Sequence, residues 1–300
     1  MEKAVSDARF SRITLVTVTG LADAQAAANA LMLSKRNMPG AQALLCCPHA
    51  PANLADGIRH VPITPLSYIE YSWFVMFALW SLIETDYALI VQDDGWVLDA
   101  ANWRDEYFDY DYIGALCNHA RVTTPDGPRM MREYNWCEFL DRPDHVVMPV
   151  LNGGFSLRSR RMLSALIDHP EITVEVARPD VLGGAPFGMH WVFSGPNEDS
   201  QLTAVLRPQL EAVGIRYAPV ELCQQFAIED GGPMHMGFDT MKLFGHHARW
   251  RRLVSIDPPT VRYSSPAKAV EDSEVERAMA AMLTRRGYRV EYTEEAVQPA

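Results

Sequence analysis

The segment Tyr87-Ala-Leu-Ile-Val-Gln-Asp-Asp-Gly95 runs an apolar stretch into two adjacent carboxylates and a glycine. Carboxylate oxygens are hard donors that suit Mg2+ or Mn2+, and such a cation suits a phosphate-bearing ligand. Asp94 is the candidate metal ligand, with Asp93 and Gln92 beside it. The same letters also spell an Asp-Asp-Gly turn that only reverses the chain. Pro196-Asn-Glu-Asp-Ser200 offers two more acids, Glu198 and Asp199. Either could deprotonate a hydroxyl within hydrogen-bond reach. Equally, Asn197 reads as an N-cap, with acids in the first turn complementing the helix dipole. In Asn152-Gly-Gly-Phe155, the paired Gly153 and Gly154 let backbone amides approach a ligand closely, or simply make a tight turn. Near the end of this series, His235 to His247 holds three of the nine histidines. His246 or His247 could join Asp94 on a cation. Consecutive side chains rarely reach one ion together, so one of the two is expected to serve. Lys242 and Arg249 could hold phosphate oxygens. Pro186-Phe-Gly-Met-His-Trp191 would suit a sugar-stacking loop or ordinary packing around a turn.

These residues need a frame. Ile13 to Gly20 reads as a first strand, and Ala24 to Lys35 as a helix of strong helix formers. Ala41 to Cys47 and Ile58 to Ile63 read as strands, Tyr68 to Glu84 as a helix, and Tyr87 to Val91 as a buried strand. This order implies a mostly parallel sheet with helices on both faces. Asp93 and Asp94 then stand at the carboxyl end of a strand, where open α/β sheets bind ligands. Asp109 to Ala115 reads as a strand end, and Arg121 to Asp144 as a long polar loop. Val146 to Val150 reads as a short strand running into the Gly-Gly segment. Ser159 to Ile167 and Asn197 to Ala212 read as helices, and Ile215 to Val220 as a strand. Asp257-Pro-Pro259 and Ser264-Ser-Pro266 suggest a linker, followed by a helix over Val270 to Arg286 and a short strand over Tyr288 to Tyr292. The expected organisation is one domain over residues 1–255 and a C-terminal appendage over residues 256–300.

The chain has 300 residues and a formal net charge of -11, which argues against general nucleic-acid affinity. Its five cysteines are odd in number and show no Cys-x-x-Cys spacing, which disfavours zinc or a disulfide framework. A reducing, cytoplasmic compartment fits that usage. Met1 to Arg12 is mixed and charged, unlike a secretory leader. The longest apolar run, Trp73 to Ile83, is shorter than the roughly 20 residues a spanning helix needs, although contact with a membrane surface stays open.

As an ordered set, Val91-Gln-Asp-Asp-Gly95, Tyr112-Ile-Gly-Ala115, Asn152-Gly-Gly-Phe-Ser-Leu-Arg158 and Glu198-Asp199 resemble the GT-A class of nucleotide-sugar glycosyltransferases. The likeness is greatest to a family catalogued as a domain of unknown function and grouped with glycosyltransferases. The resemblance implies an α/β, GT-A-like (Rossmann-like) fold: a mixed, mostly parallel central sheet flanked by helices. It implies that Gln92-Asp93-Asp94 stands where an Asp-any-Asp motif would, with Asp94 as the acid that holds Mn2+ or Mg2+ and Gln92 replacing the first acid. It implies Asp199 as the base of an inverting enzyme, a late histidine (His246 or His247) on the metal, and Thr17, Val18 and Thr19 near the nucleotide. The partners it implies are a nucleotide-sugar donor and a glycan or other hydroxyl acceptor. Two rivals stand beside it. One is a protein that binds a nucleotide sugar without turning it over. The other is a metal-dependent nucleotidyltransferase, for which Leu21-Ala-Asp-Ala24 lacks the usual basic phosphate loop. Acceptor choice is expected to rest on Arg121 to Asp144 and Arg178 to Trp191.

Overall fold

The computed structural model describes residues 8–191 and 195–293. Its strands are β1 (Ile13–Val18), β2 (Gln42–Cys47), β3 (Arg59–Pro62), β4 (Tyr87–Ile90), β5 (Gly95–Val97), β6 (Tyr112–Thr124), β7 (Gly127–Met131), β8 (Val146–Ser159), β9 (Val181–Gly183), β10 (Gly188–His190), β11 (Ala227–Ile228), β12 (Gly245–His247), β13 (Arg251–Ile256), β14 (Pro259–Tyr263) and β15 (Arg289–Tyr292). The helices are α1 (Gln25–Asn37), α2 (Tyr68–Phe77), α3 (Arg160–Asp168), α4 (Glu198–Ser200), α5 (Arg207–Ala212), α6 (Val220–Phe226), α7 (Ala267–Asp272) and α8 (Glu274–Arg285).

The main sheet runs in the order β3-β2-β1-β4-β8-β6-β11-β12-β5, with β7 paired to β6. Strands β1, β2, β3 and β4 are mutually parallel, as are β6, β11 and β12; β8 joins the two sets antiparallel to both β4 and β6. This is the expected α/β architecture with a mixed, mostly parallel sheet. Alternation splits the apolar strand residues between two layers. Leu15, Leu45 and Leu89 join the larger core with α1 and α6, whereas Val16, Leu44 and Ile90 pack on the other face beneath α2 and α3. Cys46 and Cys47 separate in the same way. Helix α2 starts sharply because Ser67 and Glu70 form a reciprocal capping box.

Several elements depart from the sequence expectation. Arg121 to Asp144 is not a long loop. The turn chemistry of Pro125-Asp-Gly127 closes a hairpin between β6 and β7. The helix expected over Asn197 to Ala212 is α4, a π-helical turn (Gln201–Val205) and α5, with Pro208 inside the first turn of α5, where a missing N–H is tolerated. Ile215 to Val220 is no strand of the sheet. Only Tyr217 makes an isolated bridge, to Tyr112, and α6 begins at Val220. Asp257 and Pro258 are not a linker but the connection of the β13–β14 hairpin. The C-terminal helix breaks at Ser273, whose side chain caps α8.

The C-terminal strands form their own sheet, β13-β14-β15, under α7 and α8. It begins at Arg251 and shares a core with the outer edge of the main sheet, through Trp96, Leu98, Leu253, Val261 and Met279. Trp96 Nε1 donates to the Tyr288 hydroxyl at 3.0 Å. The Arg286–Asp99 and Arg36–Asp257 ion pairs close the seam. Residues 294–300, the end of the expected appendage, lie outside the described residues. Among the described residues no helix is long and apolar enough to cross a membrane.

Candidate active site

Gln92 to Gly95 is a tight turn, as its glycine suggests: Gln92 N donates to Gly95 O at 2.8 Å and Gly95 N to Gln92 O at 2.9 Å. It also stands at the carboxyl end of the parallel strands, so the turn and the acidic tip are one structure. The carbonyls of Asp93 and Asp94 accept from Leu253 N and Ala248 N, which brace the turn from the C-terminal side.

Strand β12 delivers the histidine. It pairs antiparallel with β5, His247 opposite Gly95 and His246 opposite Trp96. The two rings therefore leave the strand on opposite faces. His246 packs edge-on against Trp96, with ring centroids 4.1 Å apart, and burial pushes its pKa well below the ordinary value. It does not face the acids. His247 does: its Nε2 lies 3.1 Å from Asp94 Oδ1 and 3.2 Å from Gln92 Oε1, while Nδ1 lies 2.6 Å from Glu229 Oε2. Burial works against the imidazolium, but the Asp94 and Glu229 carboxylates outweigh it and hold His247 well above its usual pKa. Asp94 is buried too, yet the His247 cation keeps its carboxyl below the ordinary range. Gln92 is oriented from behind, its Nε2 donating to the Tyr71 hydroxyl at 2.8 Å.

The Gly-Gly pair joins this group to the second pair of acids. A Cβ on Gly154 would sit 2.3 Å from both Gln92 Oε1 and His247 Nε2, and a Cβ on Gly153 would sit 1.9 Å from Glu198 Oε1. Both positions lie in β8, so one strand touches both halves of the site. Only glycine leaves room for the side chains that converge there. Glu198 is locked in a dry ion pair with Arg158, at 2.9 Å. Arg158 also donates to Ser156 Oγ and Gly153 O and lies over the Tyr112 ring, leaving Nη1 without a partner among the described residues. Among the described residues Asp199 makes no such pair. Its Oδ1 accepts from the Ser200 N–H at 2.6 Å, and burial pushes its pKa upward. Asn197 is the N-cap residue of α4 but its side chain accepts no capping hydrogen bond, so simple capping does not account for this motif.

The other candidates are scattered. The Thr17 hydroxyl is consumed by Val91 O at 2.9 Å, and Val18 is buried in the core; Thr19 stands just past the end of β1. Asp93 faces Arg252 at 3.4 Å, and burial raises its pKa. Lys242 ends a 3₁₀ turn (Thr240–Lys242) ahead of β12, and among the described residues no ion pair or side-chain hydrogen bond ties it to the acids. Arg252 is the cation beside the turn instead. Glu229, Tyr71 and Arg158 were not singled out from the sequence. Glu229 carried a usable signal: Ala227-Ile-Glu-Asp-Gly231 repeats the pattern of an apolar strand end, two acids and a glycine seen at Asp93-Asp94-Gly95. Tyr134 also reaches this region, in a left-handed conformation (φ 60°), its hydroxyl donating to Asp230 O at 3.2 Å. Two surface cavities, of about 430 Å3 beside Lys35 and Arg59 and about 540 Å3 between Asn37 and Arg286, are lined by none of these acids.

Among the described residues no three His, Cys, Asp or Glu side chains form a ready-made metal cage. The donor set at the turn nevertheless suits a hard divalent ion. Asp94 Oδ1 is buried, with His247 Nε2 3.1 Å away across an ion pair. Gln92 supplies a second oxygen and His247 Nε2 a nitrogen, while Glu229 holds the other ring nitrogen as outer-shell carboxylates do.

No curated protein matches the chain in sequence. Among solved structures it is similar to the galactosyltransferase LgtC in complex with donor and acceptor sugar analogs, at 11% identity and a TM-score of 0.40, covering 91% of this chain and 95% of that one. An active-site mutant of LgtC compares at 12% identity and 0.39, with the same coverage. Residues 67–247, which span every acid and glycine of this site, match the family described as a protein of unknown function, DUF5672, and the chain belongs to that family.

Proposed function

We propose that this protein is a glycosyltransferase that moves a sugar from a nucleotide-sugar donor to an acceptor hydroxyl with inversion. One observation carries the reading. The turn-borne Asp94, held by His247, and the adjacent acids Glu198 and Asp199 are bridged by one strand: Gly154 abuts Gln92 and His247, and Gly153 abuts Glu198, at the carboxyl end of the parallel strands.

Asp94, Gln92 and His247 would hold a divalent cation, and a cation there would offset the charge that grows on a departing nucleoside diphosphate. Gln92 contributes an oxygen without charge, its amide fixed by Tyr71. The exposed Arg252 beside Asp93 adds positive charge at the same end. Thr19, past β1, lies on the side expected to receive the nucleotide.

The acceptor hydroxyl is a poor nucleophile until it loses its proton. Asp199 is the base in this reading, because Glu198 already spends its carboxylate on Arg158. Burial raises the Asp199 pKa toward the working range, which favours proton uptake in the transition state. Glu198 and Arg158 keep the start of α4 fixed on β8. Asp230, next to Glu229 in the chain, accepts from the Tyr134 hydroxyl, and the two would suit contacts to an acceptor.

The test is a panel of nucleotide sugars, each with and without Mn2+ or Mg2+, followed by thermal shift and by release of nucleoside diphosphate. Cation-dependent stabilisation with turnover is expected. Stabilisation without turnover for any acceptor or water would leave a binding protein. Release of inorganic diphosphate from a nucleoside triphosphate would leave a nucleotidyltransferase.

A further inference from the structure

We propose that the buried Arg251–Glu276 pair is a positioning element of the acid site, through which the C-terminal unit holds the backbones of Glu229 and His247 in register. It rests on the reading of that site given above. Arg251 is wholly buried, and Glu276 from α8 is nearly so. Arg251 Nη1 donates to both oxygens of Glu276, at 2.8 and 2.6 Å. The other arm, Nη2, reaches Glu229 O and His247 O, each at 3.4 Å. One guanidinium therefore touches the main chain of the two residues whose side chains make the 2.6 Å Glu229–His247 bond.

A planar fork that is held on one side presents fixed donors on the other. The surrounding backbone repeats the theme. Arg251 N donates to Ala248 O, Ala248 N to Asp94 O, and Leu253 N to Asp93 O. The start of the C-terminal sheet is thus bonded to the acidic turn as well as to the histidine strand. Arg251 and Glu276 would touch no substrate; their effect passes through the geometry of Glu229 and His247.

The test uses the full chain with 15N-labelled histidine and no added metal. It reads the low-field Nδ1 proton of His247, assigned by its absence in His247→Asn. Wild type should show this proton protected from exchange. Glu276→Gln, and Arg251→Lys, which keeps the charge but loses the fork, should lose the signal or broaden it at least tenfold while the circular dichroism stays unchanged. Tyr288→Phe removes a different bond between the C-terminal unit and the sheet, the one from Trp96, and should keep the signal. The proposal is overturned by absence of the protected proton in wild type, by its survival in both variants, by equal loss in Tyr288→Phe, or by failure of both variants to fold. A separate Mn2+ titration of the wild type keeps the two ideas apart. Loss of the proton in the variants with no Mn2+ binding in wild type would support the positioning role and sink the cation site.

Discussion

Gly154 and His247 meet so closely that the space between them holds no methyl group: a Cβ on the glycine would sit 2.3 Å from Nε2 of the ring. The histidine cannot retreat easily, because Glu229 and Asp94 grip its two nitrogens. Gly154→Ala should therefore displace the ring or Gln92 and weaken Mn2+ binding by about 10- to 100-fold, the range seen when outer-shell support of a metal ligand is lost. Isothermal titration with Mn2+ checks this, with circular dichroism as the control. Unchanged affinity would mean that His247 is not a ligand.

Asp199→Asn keeps the shape of the side chain but removes its basicity. Turnover should fall by about 10²- to 10⁴-fold, the usual worth of a general base, while donor binding by thermal shift stays close to wild type. Undiminished turnover would move the base elsewhere.

Cation binding should depend on pH. The Asp94 and Glu229 carboxylates raise the His247 pKa and favour its imidazolium, and a metal must displace the proton on Nε2. Mn2+ affinity should therefore rise with pH and level off once the imidazole is neutral. A titration showing flat affinity from pH 6 to about 9 would remove His247 from the ligand set.

Removing one partner of the buried Arg158–Glu198 pair leaves the other charge stranded. Arg158→Met should cost about 3–5 kcal/mol of stability in urea unfolding. Replacing both residues with apolar ones should recover much of that loss but not turnover. A loss below about 1 kcal/mol for the single change would class the pair with ordinary surface bridges.

Local chemistry made much of this legible in the sequence. The run from Tyr87 into Asp93-Asp94-Gly95 specifies both a buried strand and its turn, and the structure uses it for both. The apolar letters of Ile13 to Val18, broken only by the β-branched Thr14 and Thr17, and the apolar run Leu44 to Cys47 mark strands covered on both faces. What stayed hidden depends on pairing across long distances. Which of His246 and His247 faces the acids is set by the register of β12 against β5, which one residue of slip would reverse. Lys242 is near the histidines in sequence, but it closes a 3₁₀ turn ahead of β12 and, among the described residues, shares none of the side-chain contacts of His247. The engagement of Glu198 by Arg158, 40 positions upstream, follows from no local pattern. The π-helical turn after Asp199 has no sequence mark that we can identify.

Strand β8 carries Gly153 against one acid group and Gly154 against the other. The gap between the two halves is thereby ruled by the spacing of neighbouring peptide units instead of by the closing of separate lobes. A donor and an acceptor would meet a preset separation, and adaptation to longer or bulkier partners would fall to the surrounding loops, not to this shared floor.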